Sequence, residues 1–148
     1  MKGKQKAWAY FDTSVLVKRY VREGGSEEAQ NLLRKYRFIS SVITPVEAST
    51  SFRRRKDSGD LAVRHFDAIL KRFDSDRRTW ELIETGKEVL DQAEWLGREK
   101  NVRALDAIHI ASAVLFREAT GQKLPFITAD SAQRHAAGGV SLDVIWVA

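Results

Sequence analysis

The chain contains no cysteine. Disulfides and thiolate metal sites are therefore excluded, and the absence of thiols fits a reducing, cytoplasmic setting. Only two prolines occur, and neither a linker nor a repeat nor a low-complexity tract divides the sequence. Residues 1–148 are thus expected to form one domain, long enough for a real hydrophobic core. No apolar run approaches the roughly 20 residues needed to cross a bilayer, so no membrane partner is expected. The start, Met1-Lys2-Gly3-Lys4-Gln5-Lys6, is basic, but the apolar stretch after it is short and interrupted by Asp12. That pattern reads as a strand rather than an export signal. There is also no glycine-rich phosphate loop and no histidine pair at metal-ligand spacing, which removes two further routes to catalysis.

Charge and acids are what the chain does have. Twenty-five Lys and Arg against 20 Asp and Glu give a net charge of +5 and a pI near 9.6. A basic balance suits a polyanionic partner, nucleic acid or an acidic protein; it also simply favours solubility. Short apolar runs at Ala7–Asp12, Phe38–Ser41, Thr79–Ile83, Leu124–Thr128 and Leu142–Val147 read as strands. Between them, helical patterns run over Thr13–Tyr20, from Ser26, and over Thr44–Lys56, Asp60–Phe73, Gly86–Lys100, Arg103–Glu118 and Ser131–Ala137. Ser26 is expected to cap its helix, and Thr44, Pro45 and Glu47 read as a capping box with proline at the first position. Strands alternating with helices predict an α/β fold, a three-layer α/β/α sandwich around a central, mostly parallel sheet. Ligands in such sheets bind beyond the carboxyl ends of the strands.

Four acids fall at strand-to-helix junctions: Asp12, Glu47, Asp106 and Asp130. Each has an ordinary use as a helix cap or as a favourable charge in a first turn. As a set they gain another meaning. Carboxylates gathered in one place repel by roughly 1–4 kcal/mol per pair at about 4 Å, unless a hard divalent cation sits among them. The pattern also surrounds Asp106 with apolar residues, where a lone carboxylate is costly. His109, one turn on, either lines the same cleft or is a hydrogen-bonded core residue.

The segments Phe11-Asp12-Thr13-Ser14, Leu105-Asp106-Ala107-Ile108-His109-Ile110-Ala111 and Ile127-Thr128-Ala129-Asp130, with Glu47 between them, resemble those of PIN-domain ribonucleases. In order and spacing the chain is most similar to the VapC (virulence-associated protein C) toxins of prokaryotic toxin–antitoxin pairs. The resemblance implies a Mg²⁺- or Mn²⁺-dependent endoribonuclease in which Asp12, Glu47, Asp106 and Asp130 are catalytic and metal-binding. Asp12 and Asp106 would be the main ligands of one or two ions. Glu47 and Asp130 would bind directly or through water, either one taking the proton of the attacking water. Thr13, Ser14 and Thr128 match positions that support such a site by hydrogen bonding. Cleavage would leave a 5′-phosphate and a 3′-hydroxyl. Many relatives carry an arginine soon after the last acid; here Ser131-Ala132-Gln133 intervenes before Arg134.

RNA needs other groups to hold it. Arg53, Arg54, Arg55 and Lys56 form the densest basic run, which reads either as a phosphate-binding stripe or as cations suited to a helix C-terminus. The resemblance further implies a cognate antitoxin protein bound near the hairpin of the third and fourth helices, and a homodimer. Phe52, Phe66, Phe73 and Trp80 could supply an apolar surface there, or belong to the core. The competing readings are a PIN nuclease of RNA processing outside toxin–antitoxin systems, a non-catalytic module that binds nucleic acid or protein, and, with least support, a Mg²⁺-dependent phosphatase.

Overall fold

A computed structural model describes residues 5–148; Met1–Lys4 of the basic N-terminal run lie outside the described residues. The run Trp8–Phe11 (β1) is buried apart from its first residue. It pairs on one side with Arg37–Ser41 (β2) and on the other with Pro125–Thr128 (β4). Glu81–Ile83 (β3) flanks β2, and Asp143–Trp146 (β5) flanks β4, giving a sheet of order β3-β2-β1-β4-β5 in which every pairing is parallel. The expected α/β class and its strands are thus observed. The third strand is shorter than expected, because a 3-10 turn at Arg77–Thr79 occupies its start.

Side chains of a strand alternate between faces, and the core divides accordingly. Tyr10, Ile39 and Phe126 pack on one face against Lys87–Glu99 (α5), Ala104–Thr120 (α6) and Ser131–Gly138 (α7). Ala9, Phe11 and Ile127 pack on the other, against Val15 of Thr13–Tyr20 (α1) and Ala29 of Ser26–Lys35 (α2). On this side Thr44–Asp57 (α3) and Val63–Asp76 (α4) form a hairpin, turning at Ser58 and at Gly59, whose φ of +86° suits a residue without Cβ. Helix α4 starts at Val63 rather than at the expected Asp60.

Aromatic residues lock the hairpin to α1. Phe52 and Phe73 meet edge to face at 5.5 Å, Tyr20 meets both, and the Tyr20 hydroxyl donates to Asp76 Oδ2 at 2.6 Å. Phe52 and Phe73 are buried, and Phe66 and Trp80 pack half-buried against the same cluster. These rings are core rather than an open docking surface. Their packing fixes α1 against α3, and the starts of those two helices carry two of the four acids.

Candidate active site

All four acids line one cleft of about 430 Å³ at the carboxyl edge of the sheet. Asp12 is the N-cap residue of α1 and Asp130 that of α7, while Glu47 and Asp106 lie in the first turns of α3 and α6. Four helix N-termini therefore converge on the carboxylates, and their dipoles offset part of the mutual repulsion.

Asp12 lies deepest, at 4% exposure. Its carboxylate does not cap α1. Instead Oδ2 accepts from Ser14 Oγ at 2.7 Å and from Thr128 Oγ1 at 2.9 Å, and Oδ1 accepts from Gln133 Nε2 at 3.3 Å. Ser14 and Thr128 thus touch the acid directly, and each also accepts a main-chain N–H of the β4–α7 loop, from Ala129 and Asp130 respectively. The loop that carries Asp130 is tied to Asp12 by two hydroxyls.

Glu47 does not form the expected capping box. Thr44 lies inside the helix, and its hydroxyl shares a 2.6 Å bond with Ser40. Glu47 Oε1 instead accepts from Thr13 Oγ1 at 2.8 Å and lies 2.6 Å from His109 Nε2. His109 is fully buried, and its Nδ1 shares a 2.6 Å hydrogen bond with Tyr10 Oη. It is a satisfied core histidine whose partners include an acid of the cleft. Burial pushes the imidazole pKa down, but the bond to Glu47 and the charges of Asp12, Glu47 and Asp106 outweigh it and raise the value above the usual range. Burial likewise pushes Glu47 up, while His109 and then Thr13 hold it below the ordinary carboxylate value.

Asp106 is half-buried, and its setting differs from the apolar one expected. Its first-turn position turns it into the cleft, where Oδ1 accepts from Gln133 Nε2 at 3.2 Å. Desolvation, followed by the charges of Asp12 and Asp130, lifts its pKa to about 6, against an opposing effect of His109. Asp130 is exposed at the rim, and its Oδ1 caps α7 by accepting from Gln133 N at 3.0 Å. The ordinary capping use of this acid is therefore real, and it coexists with a position in the cleft. Ser26 does not cap α2 as expected: it is the first helical residue after an N-cap Gly25, and its hydroxyl accepts from Glu23 N.

The basic run splits around α3. Arg54 and Arg55 line the cleft, joined there by Lys18 and Arg103. Arg53 points elsewhere, paired with Asp57 on the exposed side, and Lys56 lies over the Phe66 ring. Arg55 donates to Glu23 at 2.8 Å. The cleft thus has an acidic floor and a partly basic rim. Sequence reasoning gives Gln133, Lys18 and Arg103 no role. The one local signal for Gln133 is its spacing three residues after Asp130, which sets it on the first turn of α7.

The donor set is all oxygen, as Mg²⁺ and Mn²⁺ prefer. Among the described residues no three Asp, Glu, His or Cys groups stand close enough to form a ready cage. Mg²⁺ does not demand one: it usually keeps several waters and takes one or two carboxylates. Asp12 and Asp106, which share a single NH₂ donor and repel one another, fit that requirement.

The class that fold and site define is an α/β protein with an acid-floored cleft at the carboxyl edge of a parallel sheet. The PIN domain family model matches residues 9–139, and the chain belongs to that family, whose members are typically nucleases. Among solved structures, the chain is similar to a toxin–antitoxin complex from Klebsiella pneumoniae, with 20% identity over 93% of this chain and 95% of that one and a TM-score of 0.64. At that identity the likeness is one of fold. No curated protein matches the chain. No helix among the described residues is long and apolar enough to cross a membrane.

Proposed function

We propose that this chain is a single PIN domain acting as a divalent-cation-dependent endoribonuclease, the toxin of a toxin–antitoxin pair. The observation that carries the reading is the meeting of four acids from four elements in one cleft, with Asp12 and Asp106 sharing one hydrogen-bond donor. Asp12 and Asp106 would hold the cation, with Glu47 and Asp130 beside them. When bound, Mg²⁺ or Mn²⁺ supplies charge neutralisation at the scissile phosphate and acidification of a water.

The chain's own groups do the rest. Ser14 and Thr128 fix the Asp12 carboxylate, leaving it little freedom to turn away. His109 and Thr13 keep Glu47 ionised and oriented, so it can accept a proton from water. Arg54 and Arg103 on the rim are suited to contact phosphates of an RNA strand. Asp130 steadies the loop at the mouth through its cap on α7.

Purified Asp12→Asn protein incubated with RNA and Mn²⁺ is expected to lose cleavage while keeping its far-UV circular dichroism. Full activity in that variant would sink the metal-site reading. Wild-type product ends should carry a 5′-phosphate. The toxin assignment draws on the toxin–antitoxin complex of similar fold. Its test is growth arrest on expression, relieved by the product of an adjacent small gene; a harmless wild-type nuclease would point to RNA processing instead. A homodimer is proposed with it, and Leu90 and Trp95, each 48% exposed on α5, are apolar residues that such an interface could cover.

A further inference from the structure

Gln133 is fully buried, yet its side chain is polar and only half satisfied. Nε2 donates to Asp12 Oδ1 and to Asp106 Oδ1, at 3.3 and 3.2 Å, and its main-chain N–H donates to Asp130. Its Oε1 is buried with no hydrogen-bond partner. A residue present only to fill space would be apolar here, since a buried carbonyl oxygen without a donor is a standing cost.

An amide carries two ends of opposite sign, and half a turn about its last torsion exchanges them. That torsion is broad and two-fold, so the exchange needs little room. The NH₂ end lies between two carboxylate oxygens, where a cation would be drawn. Two bare carboxylates favour the NH₂ end. A cation between them would repel it and favour the oxygen, and a glutamine carbonyl is a suitable hard ligand for such ions.

We propose that Gln133 is a cation-site residue, whose amide turns when Mg²⁺ or Mn²⁺ enters and presents Oε1 to the ion or to its water shell. The oxygen then acquires a partner, while the NH₂ group gives up its long, shared contacts and takes the buried side on which Oε1 now has none, so the ion's attraction for the oxygen must exceed the loss of those contacts. This inference rests on the cation-dependent reading of the cleft.

The test is Mn²⁺ binding by calorimetry to the wild-type protein, to Gln133→Met and to Gln133→Glu, with folding followed by circular dichroism. The apolar Met, of similar size, is expected to weaken Mn²⁺ binding by about 10–100-fold, the range found for groups that support metal ligands. Glu, which restores an oxygen, is expected to bind at least as tightly as wild type. In ¹⁵N-labelled wild-type protein, the Gln133 side-chain NH₂ signals should move on Mg²⁺ saturation, and stay in place in Asp12→Asn. Binding by Gln133→Met within about twofold of wild type, or tighter, would overturn the inference and make the amide a spacer or an obstruction. Unmoved NH₂ signals in a wild-type protein that does bind the ion would overturn it too, even if the variants fail to fold. Wild-type protein that binds neither ion would instead overturn the cation-dependent reading itself, and this inference with it.

Discussion

Asp106→Asn should make the protein more stable while removing one of the two proposed cation ligands. The two Oδ1 atoms of Asp12 and Asp106 bond the same Nε2 at 3.3 and 3.2 Å, so they cannot be farther apart than those two bonds laid end to end. At about 6 Å, two unit charges repel by about 3 kcal/mol at an effective dielectric of about 20 and by about 0.7 kcal/mol in water. Asp106 is half-exposed, which discounts the upper figure and leaves about 1–2 kcal/mol. For a chain of this size that is a Tm increase of roughly 3–8 °C. The gain must depend on pH. The folded-state pKa of Asp106 is raised from its ordinary 3.8 to about 6. The favourable contribution of its protonated form is complete below the unfolded value and is lost as pH rises through the folded one. The wild-type protein therefore bears the full desolvation cost of the ionised Asp106, and its repulsion by Asp12, at about pH 7.5 and little of either at about pH 4.5. Thermal unfolding of both proteins in EDTA at those two pH values measures the difference. A variant destabilised at the higher pH, or one with the same gain at both, would refute the reasoning. Added Mn²⁺ should raise the Tm of wild type and leave that of Asp106→Asn nearly unchanged.

Glu47 is held below its ordinary pKa and His109 above its own, so the pair contributes stability that is lost as pH falls through the first value or rises through the second. His109→Gln should therefore flatten the stability–pH profile between these limits, as followed by urea unfolding at several pH values; an unchanged profile would count against the pair. Arg54→Ala should reduce the dependence of RNA binding on salt by about one phosphate contact, while Arg53→Ala, which removes an arginine paired with Asp57 outside the cleft, should not. Equal slopes measured by fluorescence anisotropy would remove Arg54 from the RNA path. Phe52→Ala empties the centre of the aromatic cluster and should cost about 3–5 kcal/mol in urea unfolding. A cost under about 1 kcal/mol would mean that the cluster does not hold α3 against α1.

The framework of this fold is legible in the sequence because it follows from local pattern. Buried runs such as Ala9-Tyr10-Phe11 and Phe126-Ile127 can only be inner strands, and the apolar sides of α5 and α6 repeat at helical spacing. The four acids are also visible, since strand-to-helix junctions of a parallel sheet point to one edge. What stays hidden is who bonds to whom. Thr44 and Glu47 have the spacing of a capping box, yet each has a stronger partner in the buried polar group centred on Thr13, Ser40 and His109. Those partners lie on other elements, and no local pattern encodes them. The sequence neighbours of Asp106 are apolar and suggest an apolar setting; α6 turns Ala107 and Ile110 into the core, leaves Leu105 exposed and sets Asp106 in the cleft. Gln133 gives no chemical signal of its own, since an amide beside a helix cap is ordinary until its partners are known.

The two hydroxyls and one amide that grip Asp12 come from Ser14, Thr128 and Gln133, so the site draws on both the earliest and the latest elements of the fold. On a ribosome, the first acid emerges long before the groups that orient it. A nascent chain that has made β1, α1 and even α6 still lacks the β4–α7 loop, and its Asp12 carboxylate has neither Thr128 nor Gln133 to hold it. Strand β4 sits next to β1 at the middle of the sheet, so its late insertion also closes the core on both faces. The cleft is thus assembled only once the helix that carries Gln133 has left the exit tunnel.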